Sequence, residues 1–180
     1  LIVRKHLLCE KIGTPVMNDT SIFVPPISNP TQSLRTQIET RTSSPACIGC
    51  HAKINPPGFV LENYDSLGRY QTIEKVYNTS GVVVAQHNVN ATADPNIDSS
   101  SDPRVDGLKA MAQMMATSAK GPSCLAQQWT SFSKGRVPTA EDNCEVSRTL
   151  NRLNNGSLLQ MLMAPAFDAN FRLRKRGTVE

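Results

Sequence analysis

The chain has 180 residues, enough for one domain or a domain with an appendage. Hydrophobic residues are 39% and aromatics 5%, which supports a modest core; the best apolar run, 158–166, is too short for a membrane span and is broken by Pro165. Charged residues at 19% and a net charge of +4 argue against disorder by composition and against a dedicated nucleic-acid-binding face.

The chain opens at Leu1 without Met or a charged leader and is expected to be a mature or trimmed product. Residues 1–12 read as the end of a helix, stopped by Gly13 and Pro15. Residues 13–30 carry Pro15, Pro25, Pro26 and Pro30 and are expected to lie extended over the domain. A short helix follows at 32–41, with Leu34 and Ile38 on one face. The next helix has Ser44 as N-cap and Pro45 at its first position, where its φ is already set. It is expected to end near Ile54, before Asn55-Pro56-Pro57-Gly58.

Val60, Tyr64 and Leu67 recur at helical spacing, with Gly68 as C-cap. Residues 70–73 and 81–86 read as two short strands around a turn at Asn78-Thr79-Ser80. Residues 87–106 hold Asp94, Asp98, Asp102 and Asp106 but lack the alternation and closing acid of a calcium loop, so a long surface insertion is expected. Asp106 caps a helix striped by Leu108, Met111, Ala112 and Met115. Ser123 caps another, carrying Leu125, Trp129 and Phe132 and ended by Gly135. Thr139 and Asp142 form a capping-box pattern before a helix with Val146, Leu150 and Leu153, closed by Asn154-Asn155-Gly156. Residues 158–164 form the last apolar helix. The basic tail Arg172-Leu173-Arg174-Lys175-Arg176 reads as a solvated charge run, with docking to an acidic partner as the alternative.

Five cysteines stand at 9, 47, 50, 124 and 144. Cys47-Ile48-Gly49-Cys50-His51 is C-x-x-C-H, the pattern of covalent c-type haem attachment. Two thiols one helical turn apart reach two vinyl groups on one porphyrin edge, and His51 then projects its imidazole under the iron. Three readings compete: a thioredoxin-like C-x-x-C, which needs a βαβ pattern; a zinc site with Cys124 and Cys144 as the second pair; and a plain Cys47–Cys50 disulfide. Cys124 and Cys144 read as a structural disulfide between two helix starts, stabilising by about 3 kcal/mol in the chain-entropy model. Cys9 is left over. Thioether haem and a disulfide both belong to an oxidising compartment outside the cytoplasm. The loop after the motif is placed to offer a backbone carbonyl, that of Pro56, to His51 Nδ1–H, and a simple helix stop is the competing reading.

The run 45–70, from Pro45-Ala46-Cys47 through Pro56-Pro57-Gly58-Phe59-Val60-Leu61-Glu62-Asn63-Tyr64-Asp65 to Gly68-Arg69-Tyr70, resembles the planctomycete-type cytochrome c-like proteins, common also in myxobacteria. Their haem motif is followed by D-P-x-G-F-x-L-E-x-[FY]-D-x-x-G-R-[WY]. Leu7-Leu8-Cys9 and the proline segment after it resemble their L-L-C and proline loop. Phe132-Ser133-Lys134-Gly135-Arg136 resembles their Y-A-L-G-R, also flanked by two cysteines, and 158–167 resembles their closing helix. The resemblance covers most of the chain and implies haem c and the C-terminal part of a larger exported bacterial protein. Asn55 departs from the family's usual Asp, Pro57 replaces an aliphatic residue, and Thr40 stands where a His often precedes Arg; the 78–104 region is also longer.

The sixth iron ligand sets the chemistry. Methionine gives a high-potential carrier, histidine lowers the potential, and an open position admits small molecules or peroxide. Met111, Met114 and Met115 lie downstream at a plausible distance, with Met115 preferred; Met111 and Met115 also fit a core stripe. His87, His6, Met17 or an open site are the alternatives.

The expected fold is mainly α: a cytochrome c-like haem domain with a small β-hairpin and a C-terminal helical hairpin pinned by a disulfide. Its parts are 1–30, the haem domain 31–119, and the helical region 120–180. The expected function is single-electron transport in the periplasm or outside the cell, with one covalent haem c and a redox protein or larger complex as partner. No nucleic-acid partner and no membrane span are expected. Two alternatives stand: a haem subunit of an exported oxidoreductase or open-site peroxidase-like enzyme, and a haem-stapled docking module.

Overall fold

A computed structural model describes residues 1–13, 29–97 and 103–167. Met17, most of the proline-containing segment, Asp98, Asp102 and the basic tail lie outside the described residues. The chain divides into two compact units, Leu1–Lys5 with Glu10–Met114, and His6–Cys9 with Met115–Glu180. Both contain helices, and the four strands among the described residues all lie in the first.

The chain begins in a π-helical turn, Val3–Leu7, whose last two residues belong to the second unit; the first unit continues with α1 (Leu34–Arg41) and α2 (Pro45–Phe59). Ser33 caps α1 by accepting from the Thr36 amide, and the Thr42 amide closes it on the Ile38 carbonyl at 3.0 Å. Ser44 and Pro45 begin α2 at the predicted positions, but the Ser44 side chain makes no cap hydrogen bond among the described residues. The expected stop at Ile54 does not occur: α2 runs through Pro56 and Pro57 to Phe59. Two prolines lack the N–H groups that would bond the carbonyls of Ala52 and Lys53. Arg4 replaces one of them, its Nε–H donating to the Lys53 carbonyl at 2.9 Å.

Past α2 the predicted Val60–Leu67 helix is instead a series of turns. Asp65 Oδ1 accepts from the amides of Leu67 and Arg69, each at 2.9 Å, and Gly68 takes φ 75° there. Tyr64 and Tyr70 pair across this turn, rings edge-on at 5.8 Å. The hairpin forms from β1 (Ile73–Tyr77) and β2 (Val83–Asn88), a few residues later than predicted, with a bulge at Val76/Tyr77. Asn78 Oδ1 holds its turn by accepting from the Ser80 and Val82 amides.

The stretch 87–106, expected to be a surface insertion, contributes to the core among its described residues. Ala91, Ala93, Pro95, Ile97 and Val105 are buried, as are Phe59, Val60 and Met111. β3 (Thr92–Ala93) pairs antiparallel with β4 (Val105–Asp106) and packs on α2. Small inward alanines hide this role from hydrophobic periodicity. Arg35 donates to the carbonyls of Asn90 and Thr92 at 2.7 and 3.0 Å, while its guanidinium lies 4.6 Å from the Phe59 ring centre. Arg4, almost fully buried, donates to the carbonyls of Pro95 and Asn96 and pairs with Glu10. The carbonyls of this irregular segment thus find cationic donors, as burial demands.

α3 (Gly107–Thr117) carries the chain from the first unit into the second, where α4 (Lys120–Lys134), α5 (Asn143–Asn154) and α6 (Leu158–Met163) follow. α4 starts before the predicted Ser123 cap and ends as predicted at Gly135, in left-handed conformation with φ 66°. The Thr139/Asp142 capping box is present. Trp129 stacks on Phe132 at 5.3 Å and donates its indole N–H to the Leu162 carbonyl at 3.1 Å.

The disulfide differs from the expected pair. Cys124, 1% exposed, bonds Cys9, with Cα atoms 5.2 Å apart, and Cys144 is an exposed free thiol at the start of α5. Cys9 has a left-handed φ of 51°. The α4–α5 connection is instead held by charge: Asp142 accepts from Lys134 Nζ at 2.8 Å and from both terminal nitrogens of Arg136, and Glu145 takes Lys134 at 2.6 Å.

Candidate functional site

Cys47, Cys50 and His51 all lie on α2. At about 100° of turn per residue, they share one face within roughly a 100° arc. All three are half-buried, and both thiols are free. His51 Nδ1 lies 2.8 Å from Asn55 Oδ1, one helical turn on. Asn55 Nδ2 donates to Thr42 Oγ1 at 2.9 Å, and Thr42 Oγ1 donates to the Ile38 carbonyl at 2.7 Å. Among the described residues, no hydrogen bond engages His51 Nε2.

The Pro56 carbonyl does not serve His51. It accepts from the Val60 amide at 3.2 Å inside the continuing helix, and the Asn55 side chain takes the expected role. A helix stop at Ile54 would put Asn55 outside the helix and hide its relation to His51. Its i+4 relation to His51 within an unbroken helix is the signal that would have found it.

The rival readings of the motif lose their supporting parts. Cys124 is spent in a disulfide and cannot form a zinc half-site with Cys144. No group of three His, Cys, Asp or Glu side chains gathers as a metal cage among the described residues. The two sheets described are two-stranded and antiparallel, without a βαβ unit.

The candidate sixth ligands fall in different places. Met111 is 2% exposed in the first unit. Met114 and Met115 are half-buried, Met115 belonging to the second unit with His6. His87 is on β2 rather than in an insertion, with Nε2 2.7 Å from the Thr31 carbonyl.

One titratable group escaped the sequence reading. Glu62 sits just past α2, and its buried Oε1 has no hydrogen-bond partner among the described residues. Burial pushes its pKa up to about 7, with Glu74 and Glu39 adding to the rise and Arg35 opposing it.

Residues 1–74 match the model of the PSCyt3 family, described as a protein of unknown function (DUF1588). That span takes in α1, α2 and the C-x-x-C-H motif. No curated protein and no solved structure matches the chain. No helix among the described residues is long and apolar enough to cross a membrane.

Proposed function

We propose that this chain contains a c-type haem domain that carries single electrons outside the cytoplasm. The observation that carries the reading is the geometry of the motif: Cys47, Cys50 and His51 lie half-buried on one helical face, with the His51 ring held through Nδ1 by Asn55 at 2.8 Å. Cys47 and Cys50 would hold the porphyrin through thioethers, and His51 Nε2 would ligate the iron. Bound there, the group supplies a one-electron iron couple.

The chain's own contribution is a stiff platform. Arg4 caps the carbonyl that Pro57 leaves open, so the motif helix continues through the two prolines. Asn55 orients the His51 ring from the same helix. The family match over 1–74 is consistent with the reading, and the Cys9–Cys124 disulfide suits an oxidising compartment.

Intact-mass measurement under denaturing conditions tests the attachment. Protein made with export and haem-maturation machinery should retain the mass of one haem after unfolding. Cys47→Ala/Cys50→Ala should lose it. A polypeptide mass without haem contradicts the proposal.

A further inference from the structure

Resting on the haem reading, we infer that Asn55, held by Thr42, is a positioning residue that fixes His51 as the Nδ1–H tautomer and presents Nε2 to the iron. Hydrogen arithmetic gives the direction of each bond. The Thr42 hydroxyl has one hydrogen, and the Ile38 carbonyl 2.7 Å away can only accept, so the hydrogen goes there. The remaining lone pairs on Thr42 Oγ1 can only accept, so the Asn55 atom 2.9 Å away is the amide nitrogen. The Asn55 oxygen therefore faces His51. An amide oxygen cannot donate, so Nδ1, 2.8 Å away, carries the hydrogen. In a neutral ring this leaves the lone pair on Nε2.

The relay ties the ligand to the C-terminal end of α1, where the Thr42 amide bonds the same Ile38 carbonyl at 3.0 Å. It also sets the strength of the ligand. A neutral amide polarises Nδ1–H less than a carboxylate would, so Asn55 leaves His51 a weaker donor and favours the reduced iron.

Two measurements test the relay. In the haem-free full chain at alkaline pH, ¹⁵N spectra should show Nδ1–H at His51. Asn55→Leu and Thr42→Val should shift the ring toward Nε2–H, and Thr42→Ser should restore the native pattern. In haem-loaded protein, Asn55→Asp should move the redox equilibrium about tenfold toward the oxidised form, about 59 mV for one electron. Nε2–H in the native chain, or a tautomer and a potential indifferent to residue 55, overturns the inference. Lack of covalent haem sinks the underlying reading instead, and the tautomer measurement, which needs no haem, still decides the relay.

Discussion

Arg4 and Lys53 meet across 49 positions of sequence because Pro57 leaves the Lys53 carbonyl without a helical donor. The Arg4 side chain is 2% exposed, and its remaining nitrogens serve the Pro95 and Asn96 carbonyls and Glu10. One buried cation thus joins the N-terminal turn, the motif helix and the segment around Pro95. Replacing it by an apolar side chain of similar length strands several acceptors at once. Arg4→Met should cost about 3 kcal/mol in urea unfolding. A loss below about 1 kcal/mol would mean that these carbonyls find other donors.

The disulfide makes a separate prediction. Cys9 and Cys124 are 115 residues apart, and closing so long a loop stabilises by about 5 kcal/mol in the chain-entropy model. Peptide mapping should recover Cys9 joined to Cys124, with Cys144 alkylated without prior reduction. Cys9→Ser should lower the denaturation midpoint sharply, while Cys144→Ser should leave it unchanged. A Cys124–Cys144 peptide would contradict the structure.

Asp142 gives an acid-sensitive contact. Arg136 chiefly, then Lys134 and the Thr139 amide, hold its carboxyl far below the usual carboxylate range. A depressed folded pKa stabilises above the unfolded value, about 3.9, and that stability fades as pH falls below it. Asp142→Asn should therefore cost about 2 kcal/mol at neutral pH. The gap from native protein should shrink steadily below about pH 4. A gap that does not change with pH would assign the loss to packing rather than charge.

Glu62 has the opposite sign. Its folded pKa is raised to about 7 from 4.5, first by burial. Below 4.5 both states are protonated and it costs nothing. Between 4.5 and about 7 only the unfolded chain ionises, so stability falls as pH rises. Glu62→Gln should flatten this decline and stabilise by about 2 kcal/mol at alkaline pH. An infrared carboxylate titration at an ordinary glutamate midpoint would overturn it.

Local signals in the sequence translated well into structure. Pro45 starts α2, Gly135 ends α4, and Thr139 with Asp142 forms the capping box before α5, because each acts within one helical turn. Two local signals failed, the Ser123 cap and the Val60–Leu67 helix, and the larger misses depended on distant partners. Pro56-Pro57 reads as a stop unless a donor arrives from Arg4, and nothing near 56 announces Arg4. The Cys9–Cys124 pairing is set by packing within the second unit, not by spacing. Residues 87–106 read as polar because the core contribution of those described is two alanines, a proline, one isoleucine and Val105, with carbonyls satisfied by Arg4 and Arg35. The misplaced helix end then concealed Asn55 as the partner of His51.

The most direct test of the account is the visible spectrum of the purified protein with a pyridine haemochrome assay, on native chain and Cys47→Ala. The account predicts one haem per chain with the spectrum of two saturated vinyl positions in the native protein, and of one in the variant. A colourless preparation, or haem that acid–acetone extracts from the native chain, would contradict it.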